Sequence, residues 1–412
     1  MTGPRAAFDI WFKGWHAPVL GLAVSGGGDS IALLRLAVDW AKQSGTRLSA
    51  VTVDHGLRPE AAAEAAFVAG VCLRFGVSHQ TLRWTDWDGA GNLQDRARDA
   101  RYGLIADWAR GQGIDAVALA HNGDDQAETF VMRLARSAGV DGLAAMSDRV
   151  IGGVRFVRPL LGTTRTDLRS YLTGLGQQWV DDPSNDDPTY ERVRVRQGLR
   201  NLVSLGIGVQ ELSAVAGHMA QAREALNWAA HGFAQQHLRM LGPDVTIDRA
   251  AFGNLPVELR RRLLVHVLMW LTGSVYAPRR QPVLALIAAI EGNQPMTLHG
   301  CQVTLRKGTI HFCREYAAVK AATADPGQVW DGRWRLTGPA TEGVVIAPLG
   351  QSGLRALPAW RNTGRPAAAV MADPAAWRDG ALVAAPISGF ANGWVAEPAN
   401  GRQDCHSSLL TH

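Results

Sequence analysis

The chain has 412 residues, 47% of them hydrophobic and 19% charged, which fits two or three folded domains and excludes a disordered polymer. Its formal net charge of +5 suits a polyanionic partner without demanding one, and only Lys13, Lys42, Lys307 and Lys320 among the 42 basic residues are not arginine. Cys72, Cys301, Cys313 and Cys405 are scattered with no CxxC pair, which excludes a disulfide framework and a thiolate metal site. No run approaches the roughly 20 apolar residues that span a bilayer, and Met1 to Gly21 holds no sustained apolar segment, so a cytoplasmic protein with no membrane partner is expected.

From Val19 to about Gly176, short apolar runs alternate with longer amphipathic ones, which predicts an α/β fold with a doubly wound parallel sheet. Val19–Val24, Leu48–Val53 and Ala116–Ala120 read as buried strands, and Leu82 and Phe156 mark two weaker ones. Helices are expected over Asp29–Gln43, Pro59–Phe75, Asn92–Arg110, Asp124–Arg136 and Thr166–Leu175, with Gly45, Gly76, Gly113 and Gly139 as C-caps. After residue 181 the pattern changes. Residues from about Gln210 to Ile290 are helical in period, and from about Pro295 onward Gly, Pro and Trp punctuate short strands. The expected organisation is therefore a catalytic domain at 1–210, a helical domain at 211–292 and a mixed or β-rich region at 293–412.

Ala23-Val-Ser-Gly-Gly-Gly-Asp-Ser30 follows a strand and opens a helix. Gly26, Gly27 and Gly28 let backbone N–H groups approach an anion at a helix N-terminus, and Ser25 and Ser30 can add hydroxyl donors. No lysine follows, so this is not the loop that grips a γ-phosphate, and Asp29 is placed to hold Mg²⁺ against a nucleotide. Ala120-His-Asn-Gly-Asp-Asp-Gln-Ala-Glu-Thr129 lies at another strand end. There His121, Asp124, Asp125 and Glu128 share one helix start and can carry a metal ion, orient a nucleotide or take a proton, although acids in a first turn are also ordinary caps. Arg98, Arg101 and Tyr102 share a helix face, and so do Arg192, Arg196 and Arg200 if their segment is helical, with Arg194 pointing elsewhere.

These segments, in this order from Leu20 to Arg200, resemble one branch of the PP-loop ATP pyrophosphatases, the tRNA(Ile)-lysidine synthetase family. The glycine loop is similar to the family's SGGxDS, and Val53-Asp-His-Gly-Leu-Arg58 to VDHGLR. Asn92 to Tyr102 is similar to NLEAxARxxRY, with Gln94 replacing Glu. His121 to Thr129 is similar to HHxDDQAET, with Asn122 replacing the second His. Ser137 and Ala138 depart from LxRGSG, whereas Arg158-Pro-Leu-Leu161, Trp179 to Asn185, and Tyr190 to Arg196 match closely, Val193 replacing Asn. Past residue 210 the likeness thins to Leu298–Val303 and Trp330–Arg335.

The resemblance implies ATP as substrate, Mg²⁺ at Asp29 and Asp124, and a nucleotide held by Ser25, Gly26, Gly27, Gly28, Asp29, Ser30, Val53, Asp54 and His55. It implies catalysis by Asp29, His121, Asp124, Asp125, Glu128 and Arg194, with RNA or substrate meeting Arg98, Arg101, Arg133, Arg192, Arg196 and Arg200. The implied partners are a tRNA(Ile) bearing a CAU anticodon and free L-lysine, with a homodimer left open. The implied reaction adenylates the wobble cytidine at O2 and then replaces AMP by the lysine amine at C2, giving lysidine. A PP-loop tRNA thiolase and a small-molecule PP-loop ligase are the enzyme alternatives, and a non-catalytic adenine-nucleotide-binding module is the other class.

Overall fold

The computed structural model describes residues 3–56, 60–85, 93–144, 146–181, 187–274, 276–399 and 404–410. Leu57, Arg58, Pro59, Asn92 and residues 182–185 of the motifs above lie outside this set, as does the side chain of Gln94. The described chain forms two compact units, Met1–Arg223 and Glu224–His412, and the division falls within one helix, Val209–His237.

The first unit is built on a six-stranded sheet in the order β3-β2-β1-β4-β6-β5. Its strands are β1 (Val19–Ala23), β2 (Arg47–Asp54), β3 (Ser78–Arg83), β4 (Ala116–Ala118), β5 (Arg149–Ile151) and β6 (Val154–Val157). All neighbours are parallel except β5, an antiparallel edge that sequence reading does not anticipate because two exposed residues and a Gly152-Gly153 turn leave it no apolar signature. The helices are α1 (Pro4–Trp11), α2 (Gly28–Ser44), α3 (Ala61–Arg74), α4 (Leu93–Gly111), α5 (Gly123–Ala135), α6 (Val140–Leu143), α7 (Arg165–Gly174), α8 (Glu191–Leu202) and α9 (Val209–His237).

Both faces of a parallel sheet must be covered, and they are. Leu20, Leu22 and Ala118 pack with Phe8 of α1, Leu33 and Leu36 of α2, Val68 and Val71 of α3, and Leu168 and Leu172 of α7. Val51, Val117 and Phe156 pack with Tyr102, Ile105 and Ala109 of α4 on the other side. The chain runs to opposite sides from β1 and β4, which are neighbours, so the crevice at their carboxyl ends is the topological switch point where such sheets bind ligands.

Gly45, Gly76 and Gly113 adopt left-handed backbone conformations at helix ends, as their spacing predicts. Gly139 does not: the left-handed residue after α5 is Ser137 (φ 55°), and Gly139 instead precedes α6 as its N-cap.

The second unit opens with a hairpin, β7 (Leu238–Leu241) and β8 (Asp244–Asp248), inside a stretch whose period reads as helical. Gly242 (φ 60°) and Pro243 form its two-residue turn, and the flanking Leu, Met, Val and Ile fit strand and helix alike at this length. The hairpin joins β9 (Met296–Leu298), β10 (Cys301–Arg306) and β11 (Thr309–Arg314) in the order β7-β8-β11-β10-β9. Val245, Ile247, Val303, Ile310 and Phe312 of that sheet pack on α11 (Val257–Thr272) and α12 (Arg280–Glu291), with α10 (Arg249–Gly253) between hairpin and helices. Two three-stranded sheets follow: β12 (Val329–Trp330), β13 (Trp334–Thr337) and β17 (Val395–Pro398), then β14 (Val344–Pro348), β15 (Pro374–Arg378) and β16 (Ala381–Ala384). Arg365, 2% exposed in its side chain, bonds both carboxylate oxygens of Asp244 on β8, at 2.7 and 2.8 Å, and also Asp373 beside β15. These buried bidentate bonds tie the first sheet of this unit to the last.

Candidate active site

The turn after β1 folds around Ser30. Its hydroxyl accepts from the N–H groups of Ser25 (3.2 Å) and Gly26 (3.1 Å) and donates to the Gly27 carbonyl (2.9 Å). Ser30 is 5% exposed and braces the loop from within, and Ser25 is the exposed hydroxyl. Gly26 has φ +95°, which a side chain would strain. A Cβ on Gly28 would sit 3.4 Å from the Trp179 indole, and Val180 N–H donates to the Gly26 carbonyl at 3.0 Å. Trp179 and Val180 therefore clamp the loop from the segment after α7.

β2 outruns β1. The pairing of the two ends at Ala23 with Val51, and the next contact is Val24 N–H to the Val51 carbonyl at 2.9 Å, whereas β2 continues against β3 as far as Asp54 with Arg83. Peptide groups alternate sides along a strand. The Asp54 carbonyl accepts from Trp84 on the β3 side (2.9 Å), so the N–H and C=O of Val53 face the β1 side, past the end of β1. Asp54 uses its carboxylate on Gly56 N–H (2.8 Å), and the His55 ring stands edge-on to Trp84, its centroid 5.8 Å away. Burial lowers the His55 pKa, and Arg101 adds to that effect.

α5 begins with a capping box. Asn122 accepts from Asp125 N–H (3.0 Å), and Asp125 accepts from Asn122 N–H (3.1 Å). Asparagine thus serves as the cap where the family has histidine, and Asp125 keeps Oδ1 for other work. That oxygen faces Arg165 of α7 at 3.3 Å. Arg165 also reaches Asp29 (3.4 Å) and Glu128 (3.4 Å), while its backbone N–H donates to Asp124 at 2.7 Å. The phosphate-loop acid and the three acids of α5 consequently share one cleft around a single guanidinium. Burial raises the Asp29 pKa, an effect that Arg165 opposes and Asp125 reinforces. Burial likewise disfavours the Arg165 charge, but Asp125, Asp29, Glu128 and Asp124 outweigh it and hold the pKa above the ordinary arginine value.

Glu128 is 1% exposed and carries two further partners from α8, Arg196 at 2.8 Å and Arg192 at 3.2 Å. Arg192 also donates to Thr129 at 3.2 Å. The placement along α8 differs from the one expected. Arg192 and Arg196 turn inward, whereas Arg194 bonds the carbonyls of Pro188 (2.9 Å) and Thr189 (2.8 Å) and stays exposed. Buried Val193 fixes that phase of the helix, and one residue on from it a side chain must point away. Arg200 is exposed at the far end of α8.

A second group surrounds His121. Arg98 and Arg101 lie over the Tyr102 ring, 5.8 and 5.5 Å from its centroid, and Arg158 donates to its hydroxyl at 3.4 Å. Burial pushes the His121 pKa down to about 3, and Arg158, Arg101, Arg98 and Arg192 push the same way, so the imidazole is neutral. Burial opposes ionisation of Tyr102, but Arg158, Arg101 and Arg98 prevail and lower its pKa. Arg133 donates to the Gly142 carbonyl at 2.7 Å, and its pKa is lowered by burial and by Arg149, Arg98 and Arg223. This group of arginines concentrates positive charge beside His121.

Sequence reading misses Arg165, Arg158 and Trp179 as site residues. A signal for Arg165 exists: an arginine in the first turn of a helix opposes the helix dipole, and such a departure asks for a partner outside the helix. Magnesium fits the donor set, because Asp29 and Asp124 offer hard oxygens and Asp29 Oδ1 is buried without a hydrogen-bond partner among the described residues. Those residues contain no group of three acidic, histidine or cysteine side chains placed to hold a metal ion by themselves.

A family model of the PP-loop domain matches residues 8–203. A tRNA(Ile)-lysidine synthase of Ruegeria pomeroyi is 49% identical over 95% of this chain and 94% of its own. Proteins of the same name from Zymomonas mobilis and from Wolbachia pipientis wMel are 41% and 35% identical, over 62% and 80% of this chain and 76% and 79% of theirs.

Proposed function

The chain belongs to the tRNA(Ile)-lysidine synthase family, and from that premise we propose that it ligates free L-lysine to C2 of the wobble cytidine of a CAU-bearing tRNA(Ile), in the cytoplasm, at the cost of ATP. The observation that carries this reading is the meeting of Asp29 with Asp124, Asp125 and Glu128 around Arg165.

The first half-reaction joins cytidine O2 to the α-phosphorus and expels pyrophosphate. The N–H groups of Gly26 to Gly28 and the start of α2 receive the phosphates, and the Val53 peptide edge receives adenine. When bound, Mg²⁺ at Asp29 and Asp124 neutralises phosphate charge. The base lies in a single-stranded loop and can be splayed into the cleft, where Arg98, Arg101 and Arg158 offset the RNA charge around a neutral His121. In the second half-reaction the lysine amine bonds C2 and AMP departs with the O2 oxygen. The cleft's carboxylates orient the incoming ammonium group, and the proton it loses passes to one of the acids of α5 not used by the ion, Asp125 or Glu128.

All four cysteines are buried and none belongs to this cleft, so nothing here favours sulfur transfer. The test mixes protein, ATP, Mg²⁺, labelled lysine and a CAU-bearing tRNA(Ile) transcript. Label at the wobble position supports the reading, and pyrophosphate release without label at that base rejects it.

A further inference from the structure

Two arginines in this protein, Arg365 buried and Arg165 partly buried, each engage several acids, and they do so differently. Arg365 is a fixed tie, with bidentate bonds of 2.7 and 2.8 Å to Asp244 and an exposure of 2%. Arg165 is 20% exposed, and among the described residues its guanidinium comes no closer than 3.3 Å to a carboxylate, one nitrogen apiece for Asp29, Asp125 and Glu128. Charge-assisted bonds that hold a geometry run at about 2.7–2.9 Å. Arg165 is a positive charge shared among acids rather than docked on one. Its helix gains nothing from it, since a cation in the first turn opposes the dipole. Glu128 does not depend on it either, having Arg196 at 2.8 Å and Arg192 at 3.2 Å.

Asp29 is the acid with most to gain from another cation. Its Oδ2 faces Arg165 at 3.4 Å, its Oδ1 is buried without a hydrogen bond of good geometry among the described residues, and besides Arg165 only the neutral Asn122 amide favours its charge. Asp124, by contrast, is held by the Arg165 peptide N–H at 2.7 Å, a bond that survives any movement of the side chain.

We infer that the Arg165 side chain is the exchangeable counter-ion of this cleft: it holds Asp29 in register with Asp125 and Glu128 when no ligand is bound, and yields its place on Asp29 to a divalent cation. The inference rests on the reading of the cleft as a magnesium–nucleotide site. Arg165 is a positioning residue that pre-assembles the acids, and the guanidinium released by the cation is free to turn toward the phosphates.

The test uses the full chain and Mn²⁺ alone, without nucleotide. Arg165→Gln removes the competing charge, so electron paramagnetic resonance should find Mn²⁺ bound at least about fivefold more tightly than by wild type. A folded Arg165→Gln protein with equal or weaker affinity overturns the inference. Should that variant not fold, the wild type decides: millimolar Mn²⁺ should raise labelling of Arg165 by a dicarbonyl reagent, read by peptide mass spectrometry, and unchanged or reduced labelling overturns the inference equally. Wild-type protein that makes lysidine but shows neither effect sinks only this inference, whereas protein that makes no lysidine sinks the functional reading beneath it.

Discussion

Glu128 accepts from Arg196 at 2.8 Å while its own side chain is 1% exposed, so an almost fully buried carboxylate pins α8 to α5. Loss of that charge takes the shared buried carboxylate away from both Arg192 and Arg196. Breaking a buried pair from one side costs roughly 3 kcal/mol or more. Glu128→Gln should therefore lower the urea midpoint by an amount equivalent to about 3 kcal/mol, and an unchanged midpoint would show that α8 is held by other contacts.

The phase of α8 separates two neighbouring arginines. Arg196→Ala removes a ligand of Glu128 and should cut kcat by about a hundredfold, the order found for lost charge stabilisation in active sites. Arg194→Ala releases only two loop carbonyls and should act mainly on KM for tRNA. Equal losses of kcat in both variants would contradict the orientation of this helix.

Asp29→Asn and Asp124→Ala should each abolish lysine incorporation while circular dichroism stays native. Both positions are half-buried, lie at helix starts, and contribute little to the core. Turnover near wild type in either variant removes that residue from the chemistry.

His121 supplies a pH signature. Its pKa is about 3 when folded and near the ordinary 6.5 when unfolded, so below pH 6.5 the unfolded chain binds the extra proton. Stability is unaffected by this group above pH 6.5 and falls as pH drops toward 3, with a slope approaching about 1.4 kcal/mol per pH unit. Asp29, with a raised pKa, works in the opposite sense at the acid end. The clean measurement is the difference between wild type and His121→Gln across pH 7 to about 4.5: the variant should lose less stability, and parallel curves would refute the neutral, buried imidazole.

Much of this site is legible in the sequence because its motifs are local. A strand, three glycines and an acid suffice to foresee the phosphate loop, and the spacing of Asp124, Asp125 and Glu128 suffices to put them on one turn. Arg165 is not legible in that way, since its partners are 37 to 136 residues away in the chain and no period links them. The inversion of Arg194 with Arg192 and Arg196 depends on which residue of α8 is buried, and Val193 among so many arginines gives no amphipathic stripe to read. The β7–β8 hairpin fails for a different reason: Leu238-Arg-Met-Leu241 and Asp244-Val-Thr-Ile-Asp248 are too short to separate the two periods, and pairing with β11 decides the matter.

Ser137 keeps a side chain at a left-handed helix end that the family's pattern gives to glycine. An L-residue there costs roughly 1 kcal/mol. Ser137→Gly should raise the melting temperature by a few degrees, with activity intact; a fall would mean that the serine hydroxyl stabilises the turn after α5.

The protruding end of β2 bears on how the nucleotide preference can change over time. Val53 presents peptide groups, and every amino acid other than proline carries the same pair. Replacing its side chain leaves the donor and acceptor where they are, so on the proposed reading of this edge as the adenine site, discrimination between purines is protected against point substitution at this position. Altering it requires shifting the strand itself, by lengthening β1 or by re-registering β2 against β3.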